Sequence, residues 1–236
     1  ISFNFSTKYA RNHTDVPLGL VGLDRTYTWS EIIDFWPTMS KHNIDGSISN
    51  PIILALEKGG RIVTENHDLW LNMGTEIEPI KGWKTNLSYK YNARWGNVIQ
   101  NPKPVPVPIP NGTTGNIGEV SNGYRSELNQ GQYTLLSLYT SYEKALGKHT
   151  LKGMVGFEQD LYNNRRLLGS KMNLITEAVP SIKTALGDYT LDDYLDHWAT
   201  RGVFGRLNYN YDEKYLAEIS SRYDGSSRFA PGDRSA

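Results

Sequence analysis

Cysteine is absent from the 236 residues, which excludes disulfide scaffolds, thiolate metal sites and cysteine nucleophiles. Nowhere does an apolar run approach the roughly 18 residues of a transmembrane helix. The opening Ile1-Ser2-Phe3-Asn4-Phe5 lacks the basic start and apolar stretch of a signal peptide. No charge of one sign dominates, since 25 Lys+Arg balance 25 Asp+Glu. Without a basic stripe or a reading motif, nucleic acid is not an expected partner. No nucleophile motif and no glycine-rich phosphate loop occurs, so neither catalysis nor a bound cofactor is expected. His13, His42, His67, His149 and His197 show no ligand spacing, and no metal site is expected from them. Low mean hydropathy does not exclude a membrane, because transmembrane β-strands alternate apolar and polar residues.

What the chain has in quantity is tyrosine, 15 copies against six Phe and six Trp. Tyrosine favours strands and membrane interfaces, where one end of the ring is wet and the other apolar. Seven segments alternate at period two, the mark of strands with two different faces. Ile1, Phe3, Phe5 and Tyr9 alternate with Ser2, Asn4 and Lys8. Leu69, Leu71 and Met73 alternate with Trp70 and Asn72, and Trp83, Leu87 and Tyr89 with Lys84, Ser88 and Lys90. Residues 132–145 show a face of Leu136, Leu138, Thr140 and Tyr142. Further strands are expected around Leu151–Leu161, Val203–Tyr211 and Tyr215–Tyr223. Each is about 10 residues, enough to cross a bilayer at a tilt.

The links between them alternate between short and long. Pro79-Ile80-Lys81-Gly82, Leu146-Gly147-Lys148 and Asp212-Glu213-Lys214 are tight, whereas 11–66, 93–131 and 162–201 are long. A compact soluble domain rarely holds one such loop; an outer-membrane barrel has short periplasmic turns and long extracellular loops. Thr28-Trp29-Ser30-Glu31 reads as a capping box before a helix stopped by Pro37. Asn50-Pro51 opens a short helix over Ile52–Lys58, stopped by Gly59-Gly60. Leu191, Tyr194, Leu195 and Trp198 have helical spacing after Thr190. Prolines at every second position from Pro102 to Pro110 predict a stiff extended arm. That arm offers Val105, Val107 and Ile109 to a partner, or serves as a spacer.

Loop aromatics Trp29, Trp95 and Tyr124 could stack on sugar rings or pack on a partner. Trp36 and Trp198, on apolar helical faces, point instead to anchoring of their own helices. Asp192, Asp193 and Asp196 suit either a hard cation or, more simply, the start of a solvated helix. Trp83, Tyr142, Tyr211 and Tyr215, beside the tight turns, form either an aromatic girdle or ordinary cross-strand pairs. Alternation puts Leu87, Tyr89, Leu207, Tyr209, Ala217 and Ile219 on one face. It puts Lys90, Arg206, Asn208, Asn210, Glu218 and Arg222 on the other, the lumen side if the sheet is a barrel wall.

The stretch Gly205-Arg206-Leu207-Asn208-Tyr209-Asn210-Tyr211 leads into Lys214-Tyr215-Leu216. It continues as Arg222-Tyr223-Asp224-Gly225-Ser226-Ser227-Arg228-Phe229-Ala230-Pro231-Gly232. This resembles a strand–turn–strand and following loop of the SusC/RagA family of TonB-linked outer-membrane proteins. Asn50-Pro51 with Ala55-Leu56-Glu57, and Glu78-Pro79-Ile80-Lys81-Gly82-Trp83, is similar to the family's mid-barrel pattern. The resemblance implies an all-β fold, with about seven antiparallel transmembrane strands of a barrel of about 22 and short helices in long extracellular loops. It also implies an importer of glycans or peptides in a Gram-negative outer membrane, with a SusD-like lipoprotein, lipid and TonB as partners. No plug, TonB box or terminal aromatic strand is recognisable, so residues 1–236 are expected to be an internal part of one barrel domain. The alternatives are a secreted β-sandwich carbohydrate-binding or adhesin module, with shorter strands and loops, and a passive porin.

Overall fold

A computed structural model describes residues 1–18, 44, 51–108, 114–117, 121–230 and 232. The expected helix after Thr28 lies outside these residues, as do Trp29, Trp36 and Ile109. One seven-stranded antiparallel sheet carries almost all of the rest. Its strands are β1 (Ser2–Pro17), β2 (Gly60–Ile80), β3 (Trp83–Pro102), β6 (Gly123–Leu146), β7 (His149–Met172), β8 (Tyr189–Tyr211) and β9 (Tyr215–Ser226), hydrogen-bonded in that order. β4 (Val105–Pro108) and β5 (Thr114–Ile117) form a separate small hairpin, and α1 (Pro51–Lys58) is the helix expected after Asn50. Tight turns join β2 to β3, β6 to β7 and β8 to β9, all at one end; the long links lie at the other.

The tight turns show why this end is compact. Gly82 has a φ of 87° and its carbonyl accepts from the Glu143 amide at 2.9 Å. A Cβ there would sit 2.4 Å from the Glu143 oxygen, so both conformation and space demand glycine. The β8–β9 turn meets the same demand without one. Asp212 and Glu213 both have positive φ, 51° and 58°, as a type I′ turn requires. It closes with the Lys214 amide donating to Tyr211 O at 2.9 Å.

Register makes the sheet two-faced. Leu71, Tyr91, Thr134 and Leu161 line up across four strands on one face, and so do Leu87, Leu138, Phe157 and Val203. Leu207 and Ile219 continue this face into β9. Among the described residues no second layer covers it. Leu138 is 44 % exposed, Leu207 50 % and Ile219 72 %. The sandwich alternative needs a second sheet against these side chains, and the described residues supply none.

Aromatic rings mark both limits of this apolar face. At the tight-turn end Trp83 pairs with Tyr142 and Tyr211 with Tyr215. The Trp83 indole N–H donates to Thr140 Oγ1 at 2.8 Å. At the other end Trp95 stacks on His67 with ring centres 5.1 Å apart, and Tyr9 lies 6.0 Å from the same imidazole. From Trp83 to Trp95 the strand runs about 40 Å at about 3.4 Å per residue. At a barrel tilt of about 40° that spans about 30 Å, the thickness of a bilayer's hydrocarbon core.

Beyond Trp95 the strands continue, and here the structure corrects the sequence reading. The strands are 12 to 24 residues long rather than about 10, and much of 11–66, 93–131 and 162–201 is ladder, not loop. The helix expected over Leu191–Trp198 is strand, paired to β7 throughout. Cross-strand ion pairs fasten these arms: Arg11 with Glu65 at 2.6 Å, Arg61 with Asp15 at 2.8 Å, and Arg165 with Asp193 at 2.7 Å. Asp193 is thereby held below the usual carboxylate range, chiefly by its hydrogen bond from Arg165. Strand alternation puts Asp193 on the opposite face from Asp192 and Asp196, so the three acids neither begin a helix nor converge on a cation. No cluster able to hold a metal occurs among the described residues.

The buried apolar residues, Leu18, Ala55, Ile62, Val105, Leu168, Leu174 and Ala185, all lie toward this outer end. Val105 is only 1 % exposed. The proline arm is therefore not free at this point: Val105–Pro108 pair with Thr114–Ile117, and the Val105 side chain is buried beneath the rim. The side chain of Val107 lies outside the described residues. Leu174 is clamped by Asn122, which donates to its carbonyl at 3.3 Å and accepts from its amide at 2.8 Å. Lys103 pairs with Glu177 at 2.9 Å and holds that carboxyl below its ordinary range.

Two expectations follow for the protein that carries this stretch. Leu138→Arg, in the middle of the apolar face, should cost about 2–4 kcal/mol of folding free energy in lipid vesicles. Asn86→Arg, on the opposite face beside Glu76, should stay within about 0.5 kcal/mol. Urea titration of the vesicle-inserted protein measures both, and equal costs would show that the two faces meet the same medium. At the turns, Gly82→Ala should lose about 1–3 kcal/mol and Glu213→Gly should gain up to about 1 kcal/mol, since the first creates and the second relieves left-handed strain. The same titration reads these differences.

Candidate functional site

The opposite face is polar and partly closes over itself. Asn92 and Ser137, both on it, are the buried polar residues of the strands, at 4 % and 8 % exposure. A hollow of about 800 Å3 opens on it across β1, β2, β3, β6, β7 and β8. Amide and charged groups line it: Asn66, Asp68, Asn92, Arg94, Asn129 and Asn164. So do the rings of Trp70, Tyr133, Tyr162 and Trp198. Three of these rings come from one row of the ladder, since Tyr133 is opposite Tyr162 and Tyr162 opposite Trp198. Tyr162 and Trp198 stack with centres 5.5 Å apart, and Tyr133 lies 6.4 Å from Trp198.

A hydrogen-bonded base supports this platform. Asp160 accepts from the Tyr133 hydroxyl and, at 2.9 Å, from Thr200 Oγ1. Asn92 donates to Asp68 and, at 3.1 Å, to the Leu69 carbonyl. Such side chains are held in one geometry before any ligand arrives, which lowers the ordering cost of binding.

The end of β9 and the residues after it reach this region through Arg228. Ser227 exchanges two bonds with Ala199: its amide donates at 2.9 Å and its hydroxyl accepts at 2.8 Å. That docking places the Arg228 guanidinium 4.8 Å above the Trp198 ring, a cation–π contact. Arg222 bonds Glu158 at 3.0 Å and Asp224 at 2.8 Å, and lies over the Phe204 ring. Gly202 and Gly156 leave the room: a Cβ at Gly202 would meet Asp224 at 2.1 Å, and one at Gly156 the Phe204 ring at 2.3 Å.

The sequence-expected residues divide between several places. Lys90, Arg206, Asn208, Asn210, Glu218 and Arg222 all occupy the polar face. Asn208 donates to Glu218 at 2.6 Å, and Arg206 lies 3.5 Å from the same carboxylate. These residues sit nearer the tight turns than the aromatic hollow does. Trp95 is not in a loop; it stands in β3 as part of the outer aromatic band on the apolar face. Tyr124 is half-buried at the outer start of β6, opposite Lys171. Trp198, expected to anchor a helix, is a strand residue of the hollow. Tyr133, Tyr162 and Trp70 were not singled out from the sequence. Continuing the alternation of β7 one step past Asp160 places Tyr162 on the polar face, which is the signal that finds it.

No family model matches the chain. Over 221 residues, 93 % of its length, the chain is 26 % identical to TonB-dependent receptor P3 of Formosa agariphila. Over 118 residues, 48 % of its length, it is 33 % identical to TonB-dependent receptor SusC of Bacteroides thetaiotaomicron. These alignments cover 20 % and 11 % of the two relatives, so the chain corresponds to about a fifth of the first. Among solved structures, the RagAB peptide transporter superposes with a TM-score of 0.69 at 18 % identity, covering 86 % of this chain and 21 % of that one. The RagAB peptide importer in its closed-closed state gives 0.68 at 19 % identity, covering 80 % and 20 %. At such identity the structures establish fold alone, an antiparallel β-barrel wall. The match to the P3 receptor along most of the sequence, and to SusC along about half of it, makes this chain similar to a SusC/RagA-like stretch of a TonB-dependent receptor.

Proposed function

We propose that the chain is part of the wall of an energised outer-membrane importer that takes up oligosaccharide or peptide. The observation that carries this reading is the two-faced sheet. One face is apolar, uncovered and bounded by aromatic rings about a bilayer apart. The other is polar, concave and furnished with rings and amides. A surface of that kind separates lipid from an aqueous path.

On this reading Lys90, Arg206, Asn208, Asn210, Glu218 and Arg222 line the lumen, and the aromatic hollow lies further out along the same path. Rings of Tyr and Trp suit the apolar face of a sugar or a peptide side chain. Neighbouring Asn and Asp groups serve hydroxyls or backbone amides equally well. TonB would act through a plug elsewhere in the parent receptor. A SusD-like lipoprotein would meet the outer arms, whose long links have the reach to recognise both lid and cargo.

The test replaces Tyr162 and Trp198 together by Ala in the full-length receptor, expressed in its own outer membrane. Uptake of radiolabelled oligosaccharide and peptide pools should fall about fivefold for the transported class, from loss of about 1 kcal/mol of ring contact. Heat-modifiable migration on gels should show unchanged insertion. Deleting TonB should abolish wild-type uptake, and the lid lipoprotein should co-purify with both forms. Uptake that persists without TonB would overturn the importer reading. Unchanged uptake by the double variant would remove the hollow from the path.

A further inference from the structure

On the apolar face near the tight turns the sheet is not flat. A hollow of about 580 Å3 lies over β6 and β7, lined by Ile80, Trp83, Thr140, Tyr142, Gly153 and Val155. Its floor is bare backbone at Gly153, where a Cβ would meet nothing within 4 Å. Gly205, diagonal to it on β8, is almost as open: its Cβ would meet only Met154 O, at 3.6 Å. Two missing side chains thus leave a trough, and two rings form its rim. The Trp83 ring is fixed by its bond to Thr140 Oγ1, itself 2.9 Å from Thr85 Oγ1.

Arg206 also borders the hollow and is held by Glu218 at 3.5 Å; two further cations neighbour the hollow by register and sequence. Lys144 follows Tyr142 by two residues, so it shares the face, and it lies opposite Leu151. Lys81 is in the adjoining turn. Neither ammonium has an ion pair among the described residues. The acids closest to them in sequence are engaged elsewhere, Glu143 with Lys152 at 3.4 Å and Glu78 with the Gly82 amide at 2.9 Å. Most other cations of the sheet have a carboxylate, so two unpaired ones beside an apolar trough form a site of complementary chemistry: a long hydrocarbon chain below, an anion above.

We propose that this trough holds one acyl chain of an anionic phospholipid, with its phosphate between Lys81 and Lys144. The orientation follows from the fold. The trough runs from the aromatic band toward the middle of the apolar face, and the lysines lie on the turn side, where headgroups would be. The site rests on the reading that this face lies in a bilayer, and it assigns a particular lipid to a particular place on it.

The test is native mass spectrometry of the full-length receptor in mild detergent, titrated with phosphatidylglycerol, phosphatidylethanolamine or inorganic phosphate alone. Wild type should retain one phosphatidylglycerol at least threefold more than Gly153→Phe, which fills the trough. Lys81→Glu with Lys144→Glu should abolish the preference over phosphatidylethanolamine, and inorganic phosphate should give no adduct. Equal retention by wild type and Gly153→Phe overturns the proposal, and so does a wild type that holds both lipids alike. If Gly153→Phe fails to insert, the double lysine variant decides by itself, since its side chains lie outside the packed ladder: an unchanged preference sinks the site. Normal insertion without lipid retention would defeat the slot and leave the barrel reading standing.

Discussion

The constraint on which everything else depends is the backbone. A sheet with one face in hydrocarbon cannot leave an amide or carbonyl unpaired there, because no water is available to satisfy it. Each inner strand of this chain is paired on both sides in unbroken register for most of its length. The irregularity between Ile77 and Ile80 falls beside Pro79, which has no N–H to give, at the very edge of the aromatic band. Side chains then need only respect a period of two. That freedom explains how solved structures at 18 % and 19 % identity can share this fold: the ladder, not a jigsaw core, holds the sheet. Buried apolar side chains consequently gather at the outer rim, where water covers both faces and packing must do what lipid does below.

The same constraint explains which parts were legible in the sequence. Where one face meets lipid and the other water, as from Leu69 to Ile77 or Leu151 to Leu161, alternation is plain and the strands were found. Past Leu161 both faces are wet, so Asn163-Asn164-Arg165-Arg166 carries no period, though its ladder continues to Met172. The arms therefore read as loops in the sequence. Residues 190–198 misled for a related reason: Leu191, Tyr194, Leu195 and Trp198 mimic a helical stripe, yet Leu191 and Leu195 lie on one face of β8 and Tyr194 and Trp198 on the other. Two flanking ladders outweigh a weak local preference. The helix after Asn50 was legible because proline at its start and glycine at its end act locally.

The likeness to TonB-dependent receptors was legible in the sequence, but the candidate hollow was not. The Arg222–Gly232 segment pointed to its family as a string of residues. Its physical role emerges only in three dimensions, where Ser227 docks on β8 and Arg228 reaches Trp198. Gly156 and Gly202 look like ordinary strand glycines in the sequence, whereas in the fold they are the spaces into which Phe204 and Asp224 fit. The aromatic hollow could not be read as a motif, since its members are contributed by six different strands at separations set by register alone.

That distribution has a consequence for how such a wall can evolve. Trp70, Tyr133, Tyr162 and Trp198 are each separate substitutions on a ladder that does not need them. Their backbones stay paired whatever side chain they carry, and their opposite-face neighbours, among them Leu69, Thr134 and Leu161, independently meet the medium outside. A change of ring or amide on the inner face therefore alters that face without altering the apolar one. The exceptions are the positions where the inner face is itself packed: Gly156 under Phe204, Gly202 beside Asp224, and Asp160 between Tyr133 and Thr200. A new side chain there must displace a neighbour or leave a buried hydroxyl unpaired. The inner face thus divides into a fixed frame around Asp160 and Arg222 and an adjustable lining around it, and on the importer reading proposed above it is the lining that would adapt such a barrel to a particular cargo.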